Sequence, residues 1–366
     1  MKKLVSLLLA ALMALSLVAV ASAETAEYRV AMITDYGDIT DQSFNQTTYE
    51  AAKAFCEANG IDFTYYKPAG DSTAERVAMV EMADNDGYNV VVMPGYAFGE
   101  TIAEVQDEYP EITFIGLDVS EGDLGGAALS ENVYCAVYKE ELCGYMAGYA
   151  AVKLGYTHLG FLGGMAVPAV VRYGYGFVQG ANAASAELGK TGDVSVEYVY
   201  GNQFYGDADI TAYMDNWYSN LGVEVVFACG GGIFTSAAEA AAKVDGKVIG
   251  VDVDQAALID GNYGEGMTVT SAMKGLAATV NTMLTEIKAG NWDNYAGKIE
   301  TLGLVGNDPE ANYVQIAPST QFADGFTTED YNALVAKMFA GEITVDNSID
   351  AMPATEITVN DLGTVK

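Results

Sequence analysis

The stretch Asp35-Tyr36-Gly37-Asp38-Ile39-Thr40-Asp41-Gln42-Ser43-Phe44-Asn45 concentrates carboxylates, a bare aromatic ring and an amide on one short segment. A carboxylate and an amide can hydrogen-bond the polar edge of a small molecule, and a ring can stack on its flat face. Capping of a following helix by Asp41 or Ser43 would account for one of these residues. It does not account for Asp35, Phe44 and Asn45 together.

Further on, Asp118 and Asp252 each end an apolar run after Gly-x, in Phe114-Ile115-Gly116-Leu117-Asp118 and Val248-Ile249-Gly250-Val251-Asp252. An ionised carboxylate accepts from two vicinal hydroxyls at once, as in the grip on a ribose diol. Paired acids across a cleft also serve glycosidases, and helix capping is a third reading. Lys274, in a chain poor in lysine, could neutralise such a carboxylate while donating to a hydroxyl; a solvated helix position is the alternative. The turn Gly230-Gly231-Gly232 lacks the order of a phosphate loop, with no Lys where one is required. Gly231 and its neighbours either let backbone amides approach a ligand or form a tight turn. Among the aromatics near loops and element ends are Tyr96, Phe98, Tyr173, Tyr175, Phe204, Tyr205 and Phe234, and rings from two sides could sandwich a flat ligand.

These residues are positioned by a regular alternation of strands and helices. Apolar runs at 28–33, 61–66, 89–93, 113–118 and 127–130 read as strands, with helices at 47–56, 72–84 and 98–108 between them. Continuous rather than alternating apolar strands predict a parallel sheet covered on both faces. After a helix over 140–154 the pattern restarts, with strands at 159–162, 194–199, 223–229, 247–252 and 267–271, a short helix at 255–260 and a long one at 272–289. Arg172 to Phe177 ends a loop or opens a helix. The order strand, Gly-rich or Pro-Gly turn, Phe, helix, strand, Gly, Asp recurs in both halves, with Phe98 and Phe234 in matching places. Strands at 302–305 and 313–316 and a helix at 331–340 follow, then an acidic, loop-like tail. Ligands bind at the carboxyl ends of strands in such sheets, so two similar lobes would face each other with Asp118 and Asp252 pointing into the cleft.

Composition narrows the function. The chain carries 50 acidic against 17 basic residues, a net charge of −33. No basic surface for nucleic acid is visible, and an anionic ligand would meet long-range repulsion. A neutral or cationic small molecule fits better. His158 is the single histidine, which argues against His-based catalysis and His metal clusters. Cys56, Cys135, Cys143 and Cys229 show no metal spacing, and free buried thiols are expected. Lys2-Lys3, the apolar run 4–20 and Ala21-Ser22-Ala23 read as a cleaved signal peptide over 1–23, with no cysteine for lipid attachment.

The opening motif Asp35-x-Gly37 with Asp41-Gln42-Ser43-Phe44-Asn45-Gln46 resembles the signature of the basic membrane protein family, exported solute-binding components of ABC importers similar to the purine nucleoside receptor of spirochaetes. The resemblance extends through 114–118, 160–164, Val251-Asp252-Val253-Asp254-Gln255 and Thr270-Ser271-Ala272-Met273-Lys274. It implies an α/β type I periplasmic-binding-protein fold, with two Rossmann-like lobes of parallel sheet joined by a three-crossing hinge. Lobe 1 is expected over 24–132 plus 269–292 and lobe 2 over 133–268 plus 293–366. It also implies that Asp35 and Asn45 hydrogen-bond a base, that Phe44 stacks on it, and that Asp118 and Asp252 take ribose hydroxyls beside Lys274. The second stacking ring does not map onto the family pattern, and Phe234 is chosen for it, with Tyr173 and Tyr175 as alternatives. Tyr96 and Gly231 complete the expected site. The segments Tyr36-Gly37-Asp38-Ile39 and Arg172-Tyr173-Gly174-Tyr175 have no match in the family pattern.

The expectation is therefore an exported, monomeric binding protein that delivers a nucleoside, purine by preference, to an ABC permease, without cofactor, metal or catalysis. Riboflavin or another flat heterocycle is the alternative ligand. An exported nucleoside hydrolase using the paired Asp residues is a remoter reading.

Overall fold

The computed structural model describes residues 28–365; the expected signal peptide lies outside them. The first part of the chain runs β1 (Arg29–Ile33), α1 (Phe44–Asn59), β2 (Asp62–Tyr66), α2 (Thr73–Asn85), β3 (Val90–Pro94), α3 (Phe98–Val105), β4 (Thr113–Leu117) and β5 (Val133–Tyr138). Next come α4 (Glu140–Lys153), β6 (His158–Gly163), α5 (Pro168–Glu187), β7 (Ser195–Tyr200), α6 (Ala208–Asn216), β8 (Val225–Cys229), α7 (Phe234–Ala241), β9 (Lys247–Asp252) and α8 (Ala256–Tyr263). The remainder is β10 (Thr268–Lys274), α9 (Leu276–Lys288), β11 (Lys298–Leu302), β12 (Val314–Ile316), α10 (Thr328–Phe339) and β13 (Thr358–Thr364).

Two sheets result, one in the order β11-β5-β4-β3-β1-β2 and one in the order β12-β10-β9-β8-β6-β7-β13. Every pairing is parallel except β10 with β12. This is the periplasmic-binding-protein architecture of type I, and the Val- and Ile-rich strands explain it: β3 and β8 are buried along their whole length, which requires helices on both faces. One face of the first sheet packs on α2 and α3 through Val80, Phe98 and Ile102. One face of the second packs on α6 and α7 through Met214, Phe234 and Ala238. A third apolar cluster runs from Val30 and Met32 in the first lobe to Phe161 and Phe227 in the second.

Among the described residues the chain crosses between the sheets three times: from β5 into α4, from β10 into α9, which packs on α1, and from β11 into β12. The crossings are tied to one another, with the Lys139 N–H donating to the Leu302 carbonyl and the Gly275 N–H to that of Tyr313.

Several elements depart from the sequence reading. The fifth strand is Val133–Tyr138, not 127–130. Alternating Val, Tyr, Cys and Ala residues pair with β4 there, whereas Ala127 closes a turn onto Leu124. Ala272, Met273 and Lys274 prolong β10, so the helix expected from 272 begins at Leu276. Arg172 to Phe177 lie inside α5, which starts at Pro168. The expected strand 302–305 ends at Leu302. The tail contributes β13 to the edge beside β7 instead of remaining loop. The sheets also allot strands differently from the expected ranges: β5 and β11 belong to the first sheet and β10 to the second. All four cysteines are free and buried.

Candidate functional site

A cavity of about 640 Å³ opens between the carboxyl ends of the two sheets. Its walls carry Asp35, Phe44, Asn45, Tyr96, Asp118 and, from the facing side, Gly231, Asp252 and Lys274. Eight of the nine residues expected at a site are thus brought together. Phe234 is not: it is the first residue of α7, only 1% exposed, and packed in the second lobe's core. Phe98, its counterpart in the first half, is equally buried at the start of α3. The internal echo that singled out Phe234 is a packing repeat.

Of the second lobe's rings, Tyr173 and Tyr205 line the cavity, and so does Phe204. Its position depends on the glycine-rich turn. A Cβ on Gly164 would lie 2.4 Å from the Phe204 ring, one on Gly230 would lie 3.1 Å from it, and the Gly232 N–H donates to the Phe204 carbonyl. In the sequence Phe204 is one of several aromatics near loops and element ends, without a motif to single it out. Tyr36, Arg172, Tyr173 and Asn202 also reach the cavity. The Tyr36 and Phe204 rings meet across the cleft at 6.3 Å between centroids, 24° from parallel.

Asp35 follows β1, and its Oδ1 accepts from the Gly37 N–H at 2.6 Å and from Asn45 Nδ2 at 3.2 Å. A Cβ on Gly95 would come within 2.9 Å of Asp35 Oδ2, so the bare backbone after β3 is what admits the carboxylate. Burial pushes Asp35 up to about 6, against the hydrogen bonds from Gly37 and Asn45. Asn45 Nδ2 also donates to Asp41 Oδ2. With the amide nitrogen committed, Asn45 Oδ1 is left buried without a partner.

Asp118 follows β4 and Asp252 ends β9, with φ of +59° and +65°. Gln42 and Asn202 share this left-handed backbone at +59° and +60° and also line the cavity. Non-glycine residues avoid that region because Cβ crowds the carbonyl, and such strain collects at functional sites. Lys274 Nζ donates to Asp118 Oδ2 and stands 3.6 Å from Asp252 Oδ1 and 4.0 Å from Glu140 Oε1. Burial alone would lower the ammonium's pKa. The three carboxylates outweigh it and hold Lys274 well above its ordinary value. Burial raises Asp252 and Glu140, opposed by Lys274 and by Arg172, whose Nε lies 2.6 Å from Glu140 Oε2. The Lys274 ammonium also sits over the Phe44, Tyr138 and Tyr173 rings, 4.7 Å from the first centroid. Asp118 Oδ1 is the second buried cavity-side acceptor without a partner.

Residues 28–331 match the family described as "ABC transporter substrate-binding protein PnrA-like". The chain belongs to this Bmp family. It is 26% identical over 297 residues to the ABC transporter nucleoside-binding protein BmpA of Lactococcus lactis, covering 76% of this chain and 79% of that one. It is 28% identical over 285 residues to basic membrane protein B of Borreliella burgdorferi, covering 75% and 78%. Among solved structures, an ABC transporter solute-binding protein from Conexibacter woesei aligns with a TM-score of 0.67 at 22% identity, covering 87% of this chain and 99% of that one; it bears on the fold alone. As a Bmp-family member the chain is an ABC transporter substrate-binding protein, a class that works with a small-molecule ligand and a membrane permease. Strand β13 lies beyond the matched residues. Among the described residues no helix is long and apolar enough to cross a membrane.

Proposed function

We propose that this protein captures a nucleoside, purine by preference, between its lobes and presents it to an ABC permease outside the cytoplasm. The observation that carries the reading is the pair of buried, unpartnered acceptors, Asn45 Oδ1 and Asp118 Oδ1, both on the first lobe's wall of an aromatic-lined cavity. Buried acceptors are costly until a donor reaches them. A base N–H at Asn45 and a ribose hydroxyl at Asp118 would supply those donors. The rings of Phe44 and Phe204 suit the base faces. Asp252 and Lys274 suit the second hydroxyl, and the carboxylates around the cavity disfavour a phosphate. The nucleoside-binding relative in Lactococcus supports the same ligand class.

Capture works by closure. The ligand touches both lobes, so its differential affinity favours the closed form, which the permease then recognises. The moving units are the two sheets with their helices, and the protein acts as an exported monomer that breaks no bond. Calorimetric titration of ligand-stripped protein with inosine, guanosine, adenosine, uridine, hypoxanthine and riboflavin tests this. Tight binding of purine nucleosides with much weaker binding of free base is expected. Binding of riboflavin alone overturns the nucleoside assignment.

A further inference from the structure

Asp41, Gln42 and Ser43 open α1, and the ligand contacts above use none of them. Their bonding departs from what a helix start calls for. Ser43 stands at the N-cap, where a serine hydroxyl ordinarily accepts from a backbone N–H of the first turn. It makes no such bond. Asp41 does the capping from two residues upstream: its Oδ1 accepts from the N–H of Ser43 and Gln46, and its Oδ2 from that of Asn45. The Ser43 hydroxyl is thereby released. Fully buried, it donates across the cleft to Asp252 Oδ2 at 2.6 Å.

A second bond runs beside it. Gln42, with its left-handed backbone, offers its carbonyl to Gln255 Nε2 at 3.1 Å. Gln255 is only 1% exposed and is itself fixed, its Oε1 accepting from the Val251 N–H and its N–H donating to Ser271 Oγ. Both bonds join the first lobe's opening loop to the second lobe, one at the last residue of β9 and one at the residue that precedes α8. A residue type that breaks its local rule while a neighbour does its work points to another task.

We propose that Ser43 is a positioning residue: with the Gln42–Gln255 bond it forms a ligand-independent latch between the lobes, and through it orients Asp252 for the ligand's diol. The identity of that diol as ribose rests on the nucleoside reading above. Ser43 engages Asp252 Oδ2 and leaves Oδ1 beside Lys274. With the lobes apart Asp252 lacks this donor, so the second lobe's share of the diol grip is completed by closure itself. Recognition of the ribose hydroxyls and closure become one step.

The test compares wild type, Ser43→Ala and Ser43→Thr by titration with inosine, 2′-deoxyinosine and hypoxanthine, and by small-angle scattering of the ligand-free proteins. Loss of one hydrogen bond to a charged group predicts about a tenfold weaker inosine affinity in Ser43→Ala. The deoxynucleoside and the base should change far less, so the preference for ribose over deoxyribose shrinks. The radius of gyration should rise, and Ser43→Thr should restore both. An unchanged ribose preference, or an equal loss for all three ligands, overturns the proposal. Should wild type bind none of the three, the nucleoside reading falls, and scattering alone judges the latch: a larger Ser43→Ala particle keeps it and an unchanged one removes it.

Discussion

Lys274 Nζ, at the end of β10, donates to Asp118 Oδ2 at the end of β4, 156 positions away. One ammonium at a hinge crossing thus reaches a carboxylate of the first lobe while standing 3.6 Å from Asp252 of the second. Two like charges converge on one cavity only because this cation lies between them. Replacing it with a neutral side chain of similar length exposes their repulsion. Lys274→Met should lose about 3–5 kcal/mol of stability, the range for breaking a buried ion pair. Urea denaturation at pH 7 checks this, and lowering the pH should recover part of the loss by protonating Asp252, which burial already raises.

Asp35 supplies a pH signature. Its carboxyl is raised from 3.8 to about 6 in the folded protein. Below about pH 4 it is protonated in both folded and unfolded forms, and its full contribution to stability is present. Between about pH 4 and 6 the folded form holds a proton that the unfolded form has released, so stability falls as pH rises. The loss levels off above about pH 6, at roughly 3 kcal/mol. Asp35→Asn should remove this slope. Denaturation of both proteins from pH 4 to pH 7 measures it as a difference; parallel curves would show that Asp35 is not the source.

Two phenylalanines separate ligand contact from packing. Phe204→Ala should weaken ligand binding by more than about tenfold, in line with the stacking worth of one ring. Phe234→Ala should cost about 3–5 kcal/mol of stability, as expected for a fully buried ring. Its folded fraction should keep its affinity. Calorimetry and thermal melts on both variants give the four values needed, and the reversed pattern would return the second stacking position to Phe234.

On the first lobe, Phe44→Ala and Asp118→Asn should each lower affinity more than about tenfold while the protein stays folded. Asparagine is the informative substitute at Asp118 because it tolerates the left-handed backbone that alanine would resist. Unchanged affinity in both purified variants would refute the site.

The sequence by itself determined the alternation of strand and helix, the parallel sheets, and the strand-end carboxylates Asp35, Asp118 and Asp252. Those features are local: apolar runs set the strands, and a residue that ends a strand of a parallel sheet has one place to go. The opening motif marked Phe44 and Asn45 for the same reason. Tertiary structure decided what depends on partners far along the chain. Val133–Tyr138 outcompeted 127–130 because it pairs with β4, and Thr358–Thr364 became a strand because β7 offered an edge. Phe204 rather than Phe234 reached the cavity because Gly164 and Gly230 clear the space it fills. Ser43, legible only as a helix cap, turned to Asp252 because Asp41 took over the cap and the second lobe supplied a buried acceptor. Side-chain packing and buried hydrogen bonds are settled by which surfaces meet, and that information is spread over the whole chain.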